Sequence, residues 1–127
     1  MRLLLDTQSL ILVGQGRLPA RAKEVYSDKD NEVYFSLVSL WEIGIKTAVG
    51  KLRFKRNLKD YHDLLVEELN LAPLSIEATH IERAVRLPFH HRDPFDRLII
   101  GQSLTERLCV LSGDVQFDAY KCDRIWD

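Results

Sequence analysis

Residues 90–97 read His-His-Arg-Asp-Pro-Phe-Asp-Arg, placing two histidines, two arginines and two aspartates in eight positions just before the apolar run LIIGQSL. Further acids stand where strands should end. Asp6 directly follows Leu3-Leu4-Leu5, Asp114 follows LCVLS after one glycine, and Glu42 lies early in the segment after VYFS. If these strands are parallel and adjacent, Asp6, Glu42, Asp93, Asp96 and Asp114 converge on one edge of a sheet. Two carboxylates about 4 Å apart repel by roughly 1 kcal/mol in water and about 4 kcal/mol at an effective dielectric near 20. Such a group either raises its pKa values or binds a cation. A ligand set made only of carboxylates suits Mg²⁺ or Mn²⁺. The chemistry it supports is phosphoryl-ester cleavage, in which the metal activates water and stabilises charge on the phosphate and the leaving oxygen.

Each acid also has an ordinary structural role open to it. Ser39-Leu-Trp-Glu42 fits a capping box, with Glu42 bonding the Ser39 backbone. Asp93-Pro94-Phe95-Asp96 fits N-cap, N1, N2 and N3 of a helix, where the dipole favours acids. Asp114 fits a turn and Asp6 an N-cap. Spacing alone leaves both sets of roles open.

The elements that must position these residues follow from periodicity and breakers. Leu3–Leu5 reads as a buried strand, TQSLILV as a helix, and Pro19 to about Ser27 as a second helix after the break GQGRLP. SDKDNE is a turn and VYFS a strand. Ser36 or Ser39 caps the helix carrying LWEIGIKTAV, and GKLRFKRN is a basic loop. Leu58–Leu69 and Ile76–Leu87 read as helices around the short strand LAPL. Pro94 opens a helix to about Arg107, LCVLS is a strand, and DRIW supplies a last edge strand. Alternating strands and helices predict a single three-layer α/β/α domain spanning 1–127, with a central, mostly parallel sheet. In such sheets ligands bind beyond the carboxyl ends of the strands.

Composition sets the outer limits. A chain of 127 residues with 46% hydrophobic and 29% charged content can bury a real core, and its net charge of −1 supplies no general attraction for nucleic acid or membrane. Cys109 and Cys122 form no CxxC pair, and no apolar run suits a signal peptide or a membrane span. The expectation is a cytoplasmic protein with reduced thiols, Cys109 being buried. Other chemistries fail on spacing. GIKTAVGKL has five residues between its glycines and Leu after Lys, unlike a phosphate-binding loop. The four histidines and two cysteines show no zinc spacing, and no GxSxG elbow is present. A phosphoacceptor receiver domain would want paired acids after the first strand, where Asp6 stands alone.

Taken together, LLLDTQSLI, SLVSLWEIGIK, LPFHHRDPFDRLIIGQS and LCVLSGDVQFDAY resemble successive blocks of the PIN-domain ribonuclease toxins, the VapC group, over nearly the whole chain. The resemblance implies an α/β/α sandwich and a Mg²⁺- or Mn²⁺-dependent endoribonuclease, leaving 5′-phosphate and 3′-hydroxyl ends on RNA, often transfer RNA. It carries the acidic site onto Asp6, Glu42, Asp96 and Asp114. Asp93, read mainly as the N-cap, and Ser112 are accessory candidates. It also implies a homodimer or toxin–antitoxin hetero-oligomer, with a cognate antitoxin that occludes the site. Gln8 departs from the pattern, since many relatives have histidine there. Substrate RNA would be held by local cations, with Lys46, His91, Arg92 and Arg97 the candidates beside the acids. Arg97 and Lys46 could instead pair with acids and hold them. His90-His91 reads as a surface or RNA-facing pair, Trp41 as a packing residue, and at least two of Phe54, Phe89 and Phe95 as core. The rival function is a non-catalytic RNA-binding or regulatory module acting through partners.

Overall fold

Three consecutive leucines, Leu3, Leu4 and Leu5, are fully buried, because the strand they form lies in the middle of a sheet covered on both faces. The computed structural model of the chain describes residues 1–127. Its strands are β1 (Arg2–Leu5), β2 (Glu32–Ser36), β3 (Ala72–Leu74), β4 (Cys109–Leu111) and β5 (Arg124–Ile125), in the order β3-β2-β1-β4-β5. Every pairing is parallel, Leu5 standing opposite Phe35 on one side and Leu111 on the other. Side chains alternate between the two faces, as a strand's period of two requires. Leu3, Leu5, Phe35 and Leu111 join one core, whereas Leu4 and Val110 join the other.

The helices that cover these faces are α1 (Thr7–Gln15), α2 (Ala20–Ser27), α3 (Leu37–Ala48), α4 (Leu58–Glu67), α5 (Ala78–Arg86) and α6 (Pro94–Glu106). Leu10, Ala22, Ile43, Tyr61 and Leu65 bring α1 to α4 to the first core, and Ile99 and Ile100 bring α6 to the second. This is the expected α/β/α layering with a wholly parallel sheet. Helix ends fall a residue or two inside the ranges expected from periodicity. LAPL and DRIW both supply parallel edge strands. A 3₁₀ helix, Val115–Tyr120, was not expected, and it buries Phe117 and Tyr120 against the second core.

α6 runs between the sheet and α5 and buries residues all round, including Gly101, Gln102 and Ser103. Gly101 permits this packing: a Cβ there would lie 2.9 Å from the His80 carbonyl oxygen and 3.1 Å from the Ala84 nitrogen. Cys109 is half-buried rather than buried, Cys122 is buried, and both thiols are free. No helix is long and apolar enough to cross a membrane.

Candidate metal centre

The chain passes from β1 to β2 and β3 on one side and returns to β4 on the other, so the switch in strand order lies between β1 and β4. Crevices form there because the two adjacent connections leave in opposite directions. A cleft of about 430 Å³ occupies this position, and Asp6, Glu42, Asp93, Asp96 and Asp114 all line it. A larger hollow, about 840 Å³, lies where β2 and β3 begin, with only Asp28 and Glu32 as acids. Volume therefore does not choose the site; the convergence of carboxylates does.

Asp6, Asp93 and Asp114 each cap a helix while lining the cleft. Asp6 caps α1, Oδ1 accepting from the Ser9 nitrogen at 2.9 Å, while Oδ2 accepts from Ser112 Oγ at 2.6 Å. Burial pushes its carboxyl pKa up, with the Ser112 and Ser9 hydrogen bonds opposing. Asp114 caps the 3₁₀ helix by accepting from the Gln116 nitrogen at 2.9 Å, and its own nitrogen donates to Ser112 Oγ at 3.0 Å. The fully buried Ser112 thus links the acids that end β1 and β4. Asp93 caps α6, accepting from the Phe95 and Asp96 nitrogens at 2.8 and 3.1 Å.

Asp96 stands one turn inside α6. Burial raises its carboxyl to about 7, and repulsion from Asp93 and then Asp6 adds to this. Glu42 is not part of a capping box. Ser36 caps α3 by accepting from the Val38 nitrogen, and Ser39 bonds Thr7 across α1 and α3 at 2.9 Å between hydroxyl oxygens. Glu42 Oε2 instead meets Lys46 Nζ at 2.8 Å, and Oε1 is buried without a hydrogen-bond partner.

The cations divide differently from expectation. Lys46 lines the cleft, and its hydrogen bond to Glu42 is the main cause of its raised pKa. Arg92 is exposed. Arg97 is buried and does not face RNA or pair with an acid. Its Nη1 donates to the carbonyls of Pro88 and His91, and its Nη2 to those of Ala84 and Leu87, at 2.9–3.2 Å. The Ala84 carbonyl also accepts from the Leu87 nitrogen at 3.3 Å, and carbonyls at the end of α5 carry the negative end of the dipole, which favours the guanidinium.

His91 is likewise buried, so it is not half of a surface pair. Its Nε2 lies 3.0 Å from Asp96 Oδ2 and 2.8 Å from Asp114 Oδ2. His90 is exposed, with its ring edge against Tyr120. Among the aromatics, Phe54 and Phe95 are half-buried against Tyr61 and Trp41. Trp41 itself is 63% exposed and Phe89 79% exposed, so Trp41 is not the packing residue expected of it. Trp126 and Gln8 also line the cleft. Trp126 directly follows β5 and so reaches the cleft from the carboxyl edge of the sheet, whereas no spacing pattern showed that His91 would turn inward to the acids.

The residues fit a divalent cation. A buried carboxylate oxygen with no partner, Glu42 Oε1, in a cleft shared with four other acids, needs a positive charge that Lys46 alone does not supply. Oxygen donors of this kind suit Mg²⁺ or Mn²⁺. Asp96, Asp114 and His91 also place one ligand-type atom each within 4.8 Å of one another.

The fold and the site together define an α/β domain with a carboxylate crevice at its topological switch. Residues 3–121 match the PIN domain family, and the chain belongs to that family. Solved structures share its fold at 16% sequence identity. VapBC2 from Rickettsia felis, bound to a DNA fragment from its promoter, matches over 100% of both chains with a TM-score of 0.73. VapBC-1 from nontypeable Haemophilus influenzae matches over 98% of this chain and 97% of that one, TM-score 0.68. FitAcB from Neisseria gonorrhoeae matches over 97% and 96%, TM-score 0.62. Comparison with curated proteins gives no match.

Proposed function

We propose that the chain is a single-domain, cytoplasmic, metal-dependent endoribonuclease, the toxin of a toxin–antitoxin pair. The observation that carries this reading is the buried, unpaired Glu42 Oε1 in a crevice lined by Asp6, Asp93, Asp96 and Asp114. Asp6, Glu42, Asp96 and Asp114 would hold Mg²⁺ or Mn²⁺, with Asp93 and Ser112 accessory. When bound, the metal supplies Lewis-acid activation of water and charge neutralisation at a phosphodiester. The protein's own part is to hold the four carboxylates. Caps and turns fix Asp6 and Asp114 from the backbone, Ser112 links them, and α3 and α6 present Glu42 and Asp96.

Lys46 and the exposed Arg92 are the cations we assign to RNA phosphates. The substrate includes transfer RNA in this reading. The resemblance to the VapC group and the fold shared with VapBC structures support an antitoxin partner. Self-association is proposed as well. Ile81, Val85 and Phe89 form an exposed apolar row along α5 and just beyond it, and a second copy would cover it. Val85→Asp should then lower the mass measured by light scattering.

Incubating the pure protein with end-labelled transfer RNA, first with Mn²⁺ and then with chelator, tests the nuclease. Cleavage that needs the metal and leaves 5′-phosphate ends supports it. Metal-independent cleavage, or RNA binding without scission under any metal, favours the non-catalytic module.

A further inference from the structure

His91 is buried against the acid cluster, and its hydrogen bonds are directional enough to assign its role. The Asp93 backbone nitrogen donates to His91 Nδ1 at 3.3 Å. A backbone N–H can only donate, so Nδ1 presents its lone pair and Nε2 carries the ring proton. That proton is directed at Asp114 Oδ2, 2.8 Å away, and Asp96 Oδ2 lies 3.0 Å from the same nitrogen. The ring is held in turn. The His91 nitrogen donates to Tyr120 Oη at 2.6 Å, its carbonyl accepts from Arg97 Nη1 at 3.2 Å, and its ring packs edge-to-face with Phe117. Arg97 and Tyr120 both bond the Pro88 carbonyl, so one buried network fixes the whole loop from Pro88 to His91.

The same three atoms could be taken as a metal-ligand triad. The bonding argues against that. A histidine that ligates a metal through one nitrogen normally donates its other ring N–H to a carbonyl or carboxylate. Here the far nitrogen accepts instead, so ligation through Nε2 would leave neither nitrogen with a proton. We propose that His91 is a positioning residue: its Nε2–H bonds Asp114 while the same nitrogen sits against Asp96, so the ring sets the spacing of these carboxylates and with it the affinity of the acid cluster for a divalent cation. The inference rests on the metal-site reading above and concerns two acids from opposite sides of a chain crossover. Asp96 starts a helix and Asp114 follows a strand, and the ring touches both, bonded to Asp114 and in polar contact with Asp96.

Mn²⁺ binding to the full-length protein, measured by calorimetry without RNA, tests this directly. His91→Phe keeps the ring and removes the donor, and should weaken Mn²⁺ binding by about 10–100-fold, the usual effect of removing a partner that orients a ligand. His91→Gln can place an amide N–H near the same oxygens and should recover most of the loss. A purely structural histidine would lower the melting temperature in chelator but leave the Mn²⁺ dissociation constant unchanged in a folded variant, and that result would overturn the inference. Should His91→Phe not fold, ¹⁵N spectra of the wild-type imidazoles through a Mg²⁺ titration decide. Retention of the Nε2–H tautomer supports positioning, whereas loss of that proton on metal binding identifies a ligand and refutes it. Wild-type protein that binds no Mn²⁺ would instead refute the underlying metal-site reading.

Discussion

Replacing Asp96 by asparagine should make the metal-free protein more stable while removing its response to metal. The Asp96 carboxyl is raised from 3.8 to about 7, first by burial and then by repulsion from Asp93 and Asp6. At 1.36 kcal/mol per unit, a rise of about three units corresponds to an ionisation cost on the order of 4 kcal/mol. The side chain keeps 19% exposure, and the amide must take the place of the carboxylate beside His91 Nε2. The expected gain is therefore about 1–3 kcal/mol at pH 8, or roughly 3–10 °C in Tm for a domain of this size.

The pH dependence has a definite sign. The unfolded carboxyl titrates near 3.8 and the folded one near 7, so folding favours the protonated form. The wild-type protein loses this contribution as pH rises from about 4 through 7. The advantage of Asp96→Asn should accordingly be largest at pH 8 and small near pH 4.5. Thermal unfolding in chelator at the two pH values measures it, and added Mn²⁺ should then raise the wild-type Tm but not the variant's. A variant less stable than wild type at pH 8, or one with the same margin at both pH values, would refute the reasoning.

Asp93→Asn should keep the helix cap, since Asn caps about as well as Asp, and should keep most RNA cleavage; loss of cleavage in a gel assay would reverse the roles given to Asp93 and Asp96. Arg97→Lys cannot make the forked bonds to four carbonyls, and should cost about 2–4 kcal/mol in urea unfolding. Gly101→Ala places a methyl 2.9 Å from the His80 carbonyl oxygen, and should destabilise by about 1–3 kcal/mol by forcing α5 and α6 apart, read from the same unfolding curves.

The layered architecture was legible because Leu3–Leu5 and LCVLS are short apolar runs ending in acids, while Pro19 and Pro94 mark helix starts. The gathering of Asp6, Glu42, Asp96 and Asp114 followed from the rule that parallel strands end on one edge. Side-chain direction was not legible to the same degree. Arg97 stands one residue after Asp96, yet helical rotation turns it into the protein, where the end of α5 consumes its donors. His91 and Arg92 are also neighbours, and the fold buries one and exposes the other. Trp41 has the composition of a core residue, but α3 buries Val38, Ser39, Glu42 and Ile43 and leaves Trp41 outside. Such outcomes depend on which elements meet, information that local periodicity does not contain.

The hydrogen bond from Ser112 to Asp6 spans 106 positions of sequence, and this has a consequence for synthesis. During translation β1 is made first, but it has β2 as its sole neighbour until residues 109–111 arrive as β4. A growing chain can assemble β1, β2 and β3 with their helices and still lack Asp96, Asp114 and the serine that joins the two halves. Long-range strand pairing of this kind is also a slow step in folding. The crevice is therefore completed only once Asp96, Ser112 and Asp114 have been made and β4 has paired with β1, so a product truncated before them carries only part of the acid cluster.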